Sequence, residues 1–194
     1  MRVFFYNFLK RILDIILVLI SAPLTVPLCI VIAILIKLDS PGPAIYWSSR
    51  IGRNSKPFAM PKFRSMIVGT PKIGAEDFVE ADRYITTVGK WIRKTSIDEL
   101  PQLWCVLTGE MSLVGPRPLL FIEKRILRQR REYGIDRLIP GISGWAQING
   151  RTTVTTDQKI ALDTWYMENR SLMLDIKIIA LTVKKVLFRQ DIIH

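Results

Sequence analysis

From Ile12 to Ile36 the chain reads ILDIILVLISAPLTVPLCIVIAILI. No other feature restricts the fold so strongly. As a helix the run is long enough to cross a hydrocarbon core of roughly 30 Å, yet its composition argues against a plain crossing. Pro23 and Pro27 fall near its middle, where each removes a helix hydrogen bond and bends the segment. Asp14 lies at its start, within reach of Lys10 and Arg11. Both flanks are basic, with Arg2, Lys10 and Arg11 before the run and Lys37, Arg50 and Arg53 after it. Flanking Lys and Arg favour the cytoplasmic side, so both ends are drawn to the same face. A straight span and a cleaved signal are the competing readings, but no A-x-A-like site follows the apolar region. The expectation is a re-entrant membrane helix over residues 1–38, bent at Pro23 and Pro27. Ser21 and Thr25 supply hydroxyls for backbone groups freed at the bend.

The rest of the composition fits a membrane surface. The 194 residues carry 28 Lys and Arg against 17 Asp and Glu, a net charge of +11, while 49% are hydrophobic. Nucleic-acid-binding domains share the charge but seldom the apolar content, and no recognition helix or stacking platform is legible here. The expected partners therefore exclude nucleic acid. Cys29 and Cys105 form no C-x-x-C pair and read as packing residues of a reducing compartment. With His194 as the single histidine, histidine-based metal or triad chemistry is nearly excluded.

After the turn cluster D-S-P-G-P (Asp39 to Pro43), residues 39–194 read as one domain. Strand-like runs lie near Ala44 to Trp47 and Lys62 to Val68, with a surface loop or short helix over 69–83. Helices are expected over about 98–108, stopped by Gly109, and about 120–133, stopped by Gly134. Amphipathic helices follow over 157–168 and 172–189. The last sets Ile176, Ile179 and Val183 among Lys177, Lys184 and Lys185, a pattern that suits either a membrane interface or a core-facing helix.

Within S-I-D-E-L-P-Q-L (Ser96 to Leu103), two carboxylates stand side by side at a helix start. Ser96 and Glu99 have capping-box spacing, and Asp98 would complement the positive end of a helix dipole. Both acids cannot serve one cap, because successive helical residues project about 100° apart. Nearby come Arg93, Lys94 and V-G-P-R-P, where Arg117 is clamped between prolines, an arrangement suited to bidentate phosphate recognition. Carboxylates, arginines and a helix end together describe phosphoryl transfer assisted by a divalent ion. Asp98 is expected to be ionised, its pKa lowered by the dipole and the arginines. The stretch Arg137 to Arg151 is either a tight loop packed by Trp145 or a polar surface in which Gln147, Asn149 and Arg151 meet a sugar, base or phosphate.

Six motifs occur in order: KRILD (Lys10 to Asp14), DSPGP, KFRSM (Lys62 to Met66), SIDELPQL, MSLVGPRPL (Met111 to Leu119) and PGISGWAQINGR. Together they resemble the bacterial sugar transferase family, small monotopic phosphoglycosyl transferases, from about residue 8 to about 188. The resemblance implies a mainly helical α+β fold: the re-entrant membrane helix plus a small catalytic domain with interfacial amphipathic helices on the cytoplasmic face of the bacterial inner membrane. It implies a minimal catalytic unit without further N-terminal spans. Asp98 would be the nucleophile on the β-phosphorus of a UDP-sugar, releasing UMP. Undecaprenyl phosphate would then take the sugar phosphate from the aspartyl intermediate. Glu99 would assist Asp98 with magnesium or protons, so both are expected metal ligands. Arg93 and Arg117 match phosphate positions; Lys62 and Arg64 of KFRSM, Gln147, Asn149, Arg151 and Asp163 complete the expected substrate set. Two departures stand out. Val26-Pro27 replaces the family's Ser-Pro pair, and Met60-Pro61 precedes KFRSM where a strand residue such as tyrosine is expected. The resemblance leaves the sugar, the glycan pathway and the oligomeric state open.

Overall fold

The computed structural model of the chain describes residues 2–71, 81–150 and 155–188. It is a mainly helical α+β fold dominated by one helix, α1 (Arg2–Asp39), which runs through both prolines. At 1.5 Å per residue it is about 57 Å long. One stripe of it, including Asp14, Val18, Ile32 and Ile36, is buried against the rest of the chain. The remaining faces expose Phe4, Phe8, Ile20, Leu24, Val26, Ile30, Ile34 and Leu38, among others. Only 11% of its most apolar window is buried, and it is the one helix among the described residues long and apolar enough to cross a membrane. A soluble helix with this much bare hydrocarbon would aggregate, so the face requires a covering.

Both halves of α1 dock on the same domain. Val18 joins a core cluster with Met60, Cys105, Val106 and Met111, whereas Ile32 and Ile36 join another with Phe63 and Ile92. Polar ties reinforce each half. Arg11 donates to the carbonyls of Val106 and Leu107, and Asp14 accepts from Ser112 Oγ at 2.7 Å and Leu113 N at 3.2 Å. At the far end Asp39 Oδ2 accepts from Val88 N at 2.9 Å. The two hydroxyls within the run behave differently from expectation. Ser21 and Thr25 donate to the carbonyls of Val18 and Ser21, not to those of Leu19 and Pro23 that the prolines release. They act as back-bonded helix residues, which itself favours bending.

The strands begin and end earlier or later than the apolar runs suggest. β1 (Ile45–Ile51) and β2 (Pro57–Phe63) form an antiparallel hairpin with Tyr46 opposite Lys62 and Arg50 opposite Phe58. Its turn contains left-handed Asn54 and Ser55. Pro61 is tolerated because this sheet has only two strands, each with a free edge. After Phe63 the chain leaves the strand, and Arg64 turns inward. Its guanidinium donates to the carbonyls of Ser40 at 2.7 Å and Pro41 and to Ser40 Oγ at 3.0 Å. Arg64 is thus a buried cap on the C-terminal end of α1, and the expected phosphate contact gives way to that task. Replacing Arg64 with Gln should cost about 2–4 kcal/mol by orphaning those carbonyls. Thermal unfolding reads the loss, and donor KM of the folded fraction should stay near wild type.

Next come α2 (Ala81–Tyr84) and α3 (Thr87–Lys94), the latter capped by Thr86 Oγ1 accepting from Gly89 N. The helix expected over 98–108 is two pieces: a 3-10 turn, Ile97–Gln102, then α4 (Leu103–Thr108). Pro101 lies within the 3-10 turn, and α-helical bonding begins only after it. A short parallel pair, β3 (Ser112–Val114) with β4 (Gly141–Ser143), lies where the sequence reads only as loops. Between them α5 spans Lys124–Glu132, and after them α6 spans Trp145–Asn149. α7 (Thr156–Asn169) and α8 (Leu172–Phe188) close the fold. α8 buries Asp175 and Ile178 and exposes Met173, Ile176 and Val183, so it packs on the core and still presents an apolar outer side.

Candidate active site

Ser96 introduces the site with a left-handed backbone, φ 55°, a conformation that costs a non-glycine residue about a kcal/mol. It makes no side-chain cap. The capping box legible at Ser96 and Glu99 does not form; the observed one joins Thr155 and Gln158 at the start of α7. Freed from capping, Glu99 points instead at cations. Its Oε1 accepts from Lys62 Nζ at 2.7 Å and lies 3.7 Å from Arg117 Nη2. Lys62 Nζ also lies 3.9 Å from Asp98 Oδ2. One lysine on β2 therefore bridges both carboxylates.

Asp98 is buried, and its Oδ1 has no hydrogen-bond partner. Burial pushes its carboxyl up to about 6, Lys62 and Arg93 oppose the rise, and Glu99 adds to it. This reverses the expected lowering. A 3-10 turn of six residues contributes little dipole, and desolvation outweighs the neighbouring cations. The carboxylate is thus poorly solvated although cations stand beside it.

Arg117 is presented by backbone packing. Pro116 and Pro118 are buried while Arg117 is exposed, its side chain 52% accessible. Gly115 N donates to Ser143 O at 2.9 Å, and Gly141 N to Pro116 O at 3.0 Å. A Cβ on Gly115 would meet Ile139 O at 2.3 Å, so only glycine permits this approach. The Arg117 carbonyl accepts from Arg130 Nη1 at 2.7 Å, and Arg130 Nη2 donates to Asp163 Oδ2 at 2.7 Å.

Asp163, expected among the substrate ligands, is fully buried in that pair; its place is behind the Arg117 loop. Burial raises its carboxyl and Arg130 opposes the rise. Asp163→Asn should cost about 3–5 kcal/mol by leaving Arg130 buried and unpaired, and a compensating Arg130→Met should recover much of it. Chemical denaturation of the two variants and the double variant checks this.

The glycine-rich segment is split in role. Trp145 stacks on Trp165 at 4.5 Å between ring centroids, so the packed-loop reading holds for this side chain. Asn149 bonds the Trp145 carbonyl within its own helix. The Gln147 amide is buried with neither end partnered, and Gly144 keeps space between it and the Gly115 carbonyl. Arg151 lies outside the described residues. Sequence reasoning missed Arg50, whose charge feels Arg117 and Glu99; only its alternation with Ser48 and Tyr46 on β1 could have flagged it.

The site thus sets adjacent carboxylates bridged by a lysine, with Arg117 beside Glu99, in a chain whose α1 carries a face of bare hydrocarbon. The family model for bacterial sugar transferases matches residues 5–189. The chain is 42% identical over 188 residues to a UDP-N-acetylgalactosamine-undecaprenyl-phosphate N-acetylgalactosaminephosphotransferase of Aeromonas hydrophila, covering 94% of this chain and 44% of that protein. It is 39% identical over 186 residues to the uncharacterized sugar transferase EpsL of Bacillus subtilis, covering 95% and 90%. With a UDP-glucose:undecaprenyl-phosphate glucose-1-phosphate transferase of Escherichia coli the identity is 41% over 184 residues, covering 91% and 40%. This chain belongs to the bacterial sugar transferase family. It spans less than half the length of the Aeromonas and Escherichia relatives.

Proposed function

We propose that the protein transfers a sugar 1-phosphate from a UDP-sugar to undecaprenyl phosphate, releasing UMP through a covalent aspartyl phosphosugar, as a membrane step of bacterial glycan assembly. The observation that carries this reading is Asp98, a buried carboxylate with a free oxygen, bridged to Glu99 by Lys62 and faced by arginines. A structural acid so buried would normally have both oxygens bonded. An unpartnered oxygen in a cationic setting suits a nucleophile.

Asp98 Oδ attacks the β-phosphorus, forming an O–P bond as the bond to the bridging oxygen breaks and UMP departs with the electron pair. Arg117, Arg93 and Lys62 bind and orient the phosphates and offset their charge. The second substrate's phosphate oxygen then attacks the same phosphorus, restoring the Asp98 carboxylate. Magnesium fits these residues: its sites commonly hold one or two carboxylates with waters and substrate phosphates, and Asp98 Oδ1 is a vacant oxygen ligand beside Glu99. No third His, Cys, Asp or Glu joins them among the described residues. Asp98 and Glu99 would hold the ion, which when bound neutralises charge on the diphosphate.

Placement on a single face of the membrane, the cytoplasmic one by the basic flanks of α1, is supported by how α1 docks. A perpendicular crossing would carry one end of the helix roughly 30 Å from the other face, whereas both halves are tied to one domain by Arg11, Asp14 and Asp39. A re-entrant, monotopic arrangement keeps those ties and buries the exposed face in lipid. Exposed Trp91 and Trp104 suit the headgroup level. The discriminating assay is UMP release from a panel of UDP-sugars by detergent-solubilised protein. Release dependent on magnesium and undecaprenyl phosphate supports the reading; absence of release with every sugar removes it.

A further inference from the structure

We propose that Arg50 is a donor-binding residue which, with Arg117, seats the phosphate that departs with the nucleoside. The inference rests on the UDP-sugar transferase reading. Arg50 lies on β1, where opposed residues of an antiparallel pair point to one face. Tyr46 with Lys62, Ser48 with Met60 and Arg50 with Phe58 therefore share a face. Lys62 meets Glu99 and Asp98 from that face, so Arg50 looks toward the same side, about 13 Å along the strand from Tyr46. Immediately after Arg50, Ile51 N donates to Leu119 O at 2.8 Å, which draws this end of β1 against the Pro116–Arg117–Pro118 loop.

The electrostatics agree with the geometry. Burial and then Arg117 lower the Arg50 pKa, while Glu123, Glu99 and Tyr46 oppose them. Arg50 forms no salt bridge among the described residues; its Nε donates to Ser48 Oγ at 3.1 Å, leaving the terminal nitrogens of the fork. Glu99 is already engaged by Lys62 at 2.7 Å, and Glu123 Oε2 accepts from Leu120 N at 2.6 Å. Two neighbouring guanidiniums repel each other unless an anion joins them, and a phosphate offers both a bidentate edge.

The order of groups gives that anion an identity. Lys62 joins Asp98 to Glu99, Arg117 lies 3.7 Å from Glu99, and the Ile51–Leu119 bond brings Arg50 to the Arg117 loop. When Asp98 forms its bond to the β-phosphorus, the breaking bond lies on the opposite side in an in-line displacement. The bridging oxygen keeps the electron pair, and the departing UMP phosphate gains a unit of negative charge. Arg117 and Arg50 are placed to receive it. Because the contact is to the phosphate and not to the hexose, it serves any UDP-sugar the protein accepts.

The test uses the full chain in detergent. UMP is titrated calorimetrically, and steady-state kinetics use the UDP-sugar that wild type turns over. Arg50→Gln should raise both the UMP Kd and the donor KM at least tenfold, leave the KM for undecaprenyl phosphate unchanged and leave Tm within a few degrees. Arg50→Lys should fall between, since it keeps charge but loses the planar fork. A folded Arg50→Gln with wild-type UMP Kd and donor KM would overturn the assignment. So would a rise confined to the KM for the lipid. If Arg50→Gln does not fold, a wild-type UMP Kd in Arg50→Lys overturns it. Wild type that binds UMP through Arg50 yet transfers nothing to the lipid would sink the transferase reading and leave the phosphate seat standing.

Discussion

Asp98→Asn should lose UMP release by at least about a thousandfold, the scale of removing a nucleophile, and at neutral pH it should unfold at a higher temperature than wild type. The two effects have one cause. The Asp98 carboxyl is pushed up to about 6, chiefly by burial, from an ordinary value of 3.8. A carboxyl whose folded pKa lies above its unfolded one binds its proton more tightly in the folded state. Its ionisation therefore penalises folding above pH 6, and the penalty disappears as pH falls from 6 toward 4. Two units correspond to about 2–3 kcal/mol. Asn keeps the shape without the charge, so the variant escapes the penalty at pH 7.5. Scanning calorimetry of metal-free protein at pH 7.5 and pH 5 reads this directly: the variant's advantage should shrink on acidification. Wild-type activity should move the other way, falling below pH 6 as the nucleophile becomes protonated.

Lys62→Met should lower kcat/KM by roughly two- to tenfold at pH 7, through a different route. Lys62 lowers the Asp98 pKa and is the cation nearest both acids. Without it, Asp98 and Glu99 repel each other in a poorly solvated place, and the Asp98 pKa rises above 6. The acidic limb of kcat/KM should shift upward by a unit or more, leaving a smaller ionised fraction at neutral pH. A variant whose donor KM rises while its acidic limb stays in place would show that Lys62 only touches substrate. pH–rate profiles of wild type and variant separate these results.

Much of this was legible because its signals are local. The prolines and basic flanks around α1, the Asp98-Glu99 pair and the proline-clamped Arg117 are contiguous stretches whose residue types carry their own physical meaning. Long-range contacts were less accessible. Arg64 lies in the same motif as Lys62, but one turns to the carbonyls of Ser40 and Pro41 and the other to the acids; strand alternation alone does not say which face meets which partner. The β3–β4 pair joins residues nearly thirty apart with three-residue strands, too short for a periodic pattern. Capping-box spacing at Ser96 misled because Ser96 takes a left-handed backbone and leads into a 3-10 turn, while the box that forms begins at Thr155. The direction of the Asp98 shift was missed for a similar reason. Charge partners can be guessed from sequence neighbours, whereas burial depends on β2 and α1 closing over the residue.

The account turns on a bond to Asp98. Detergent-solubilised protein mixed with its UDP-sugar and magnesium, without lipid, should release about one UMP per chain. Acid quench, protease digestion and mass spectrometry should then find a sugar phosphate on the peptide containing Asp98, and adding undecaprenyl phosphate before the quench should remove it. A protein that releases no UMP until lipid is present, or one that carries the adduct at another residue, would contradict the account at its centre.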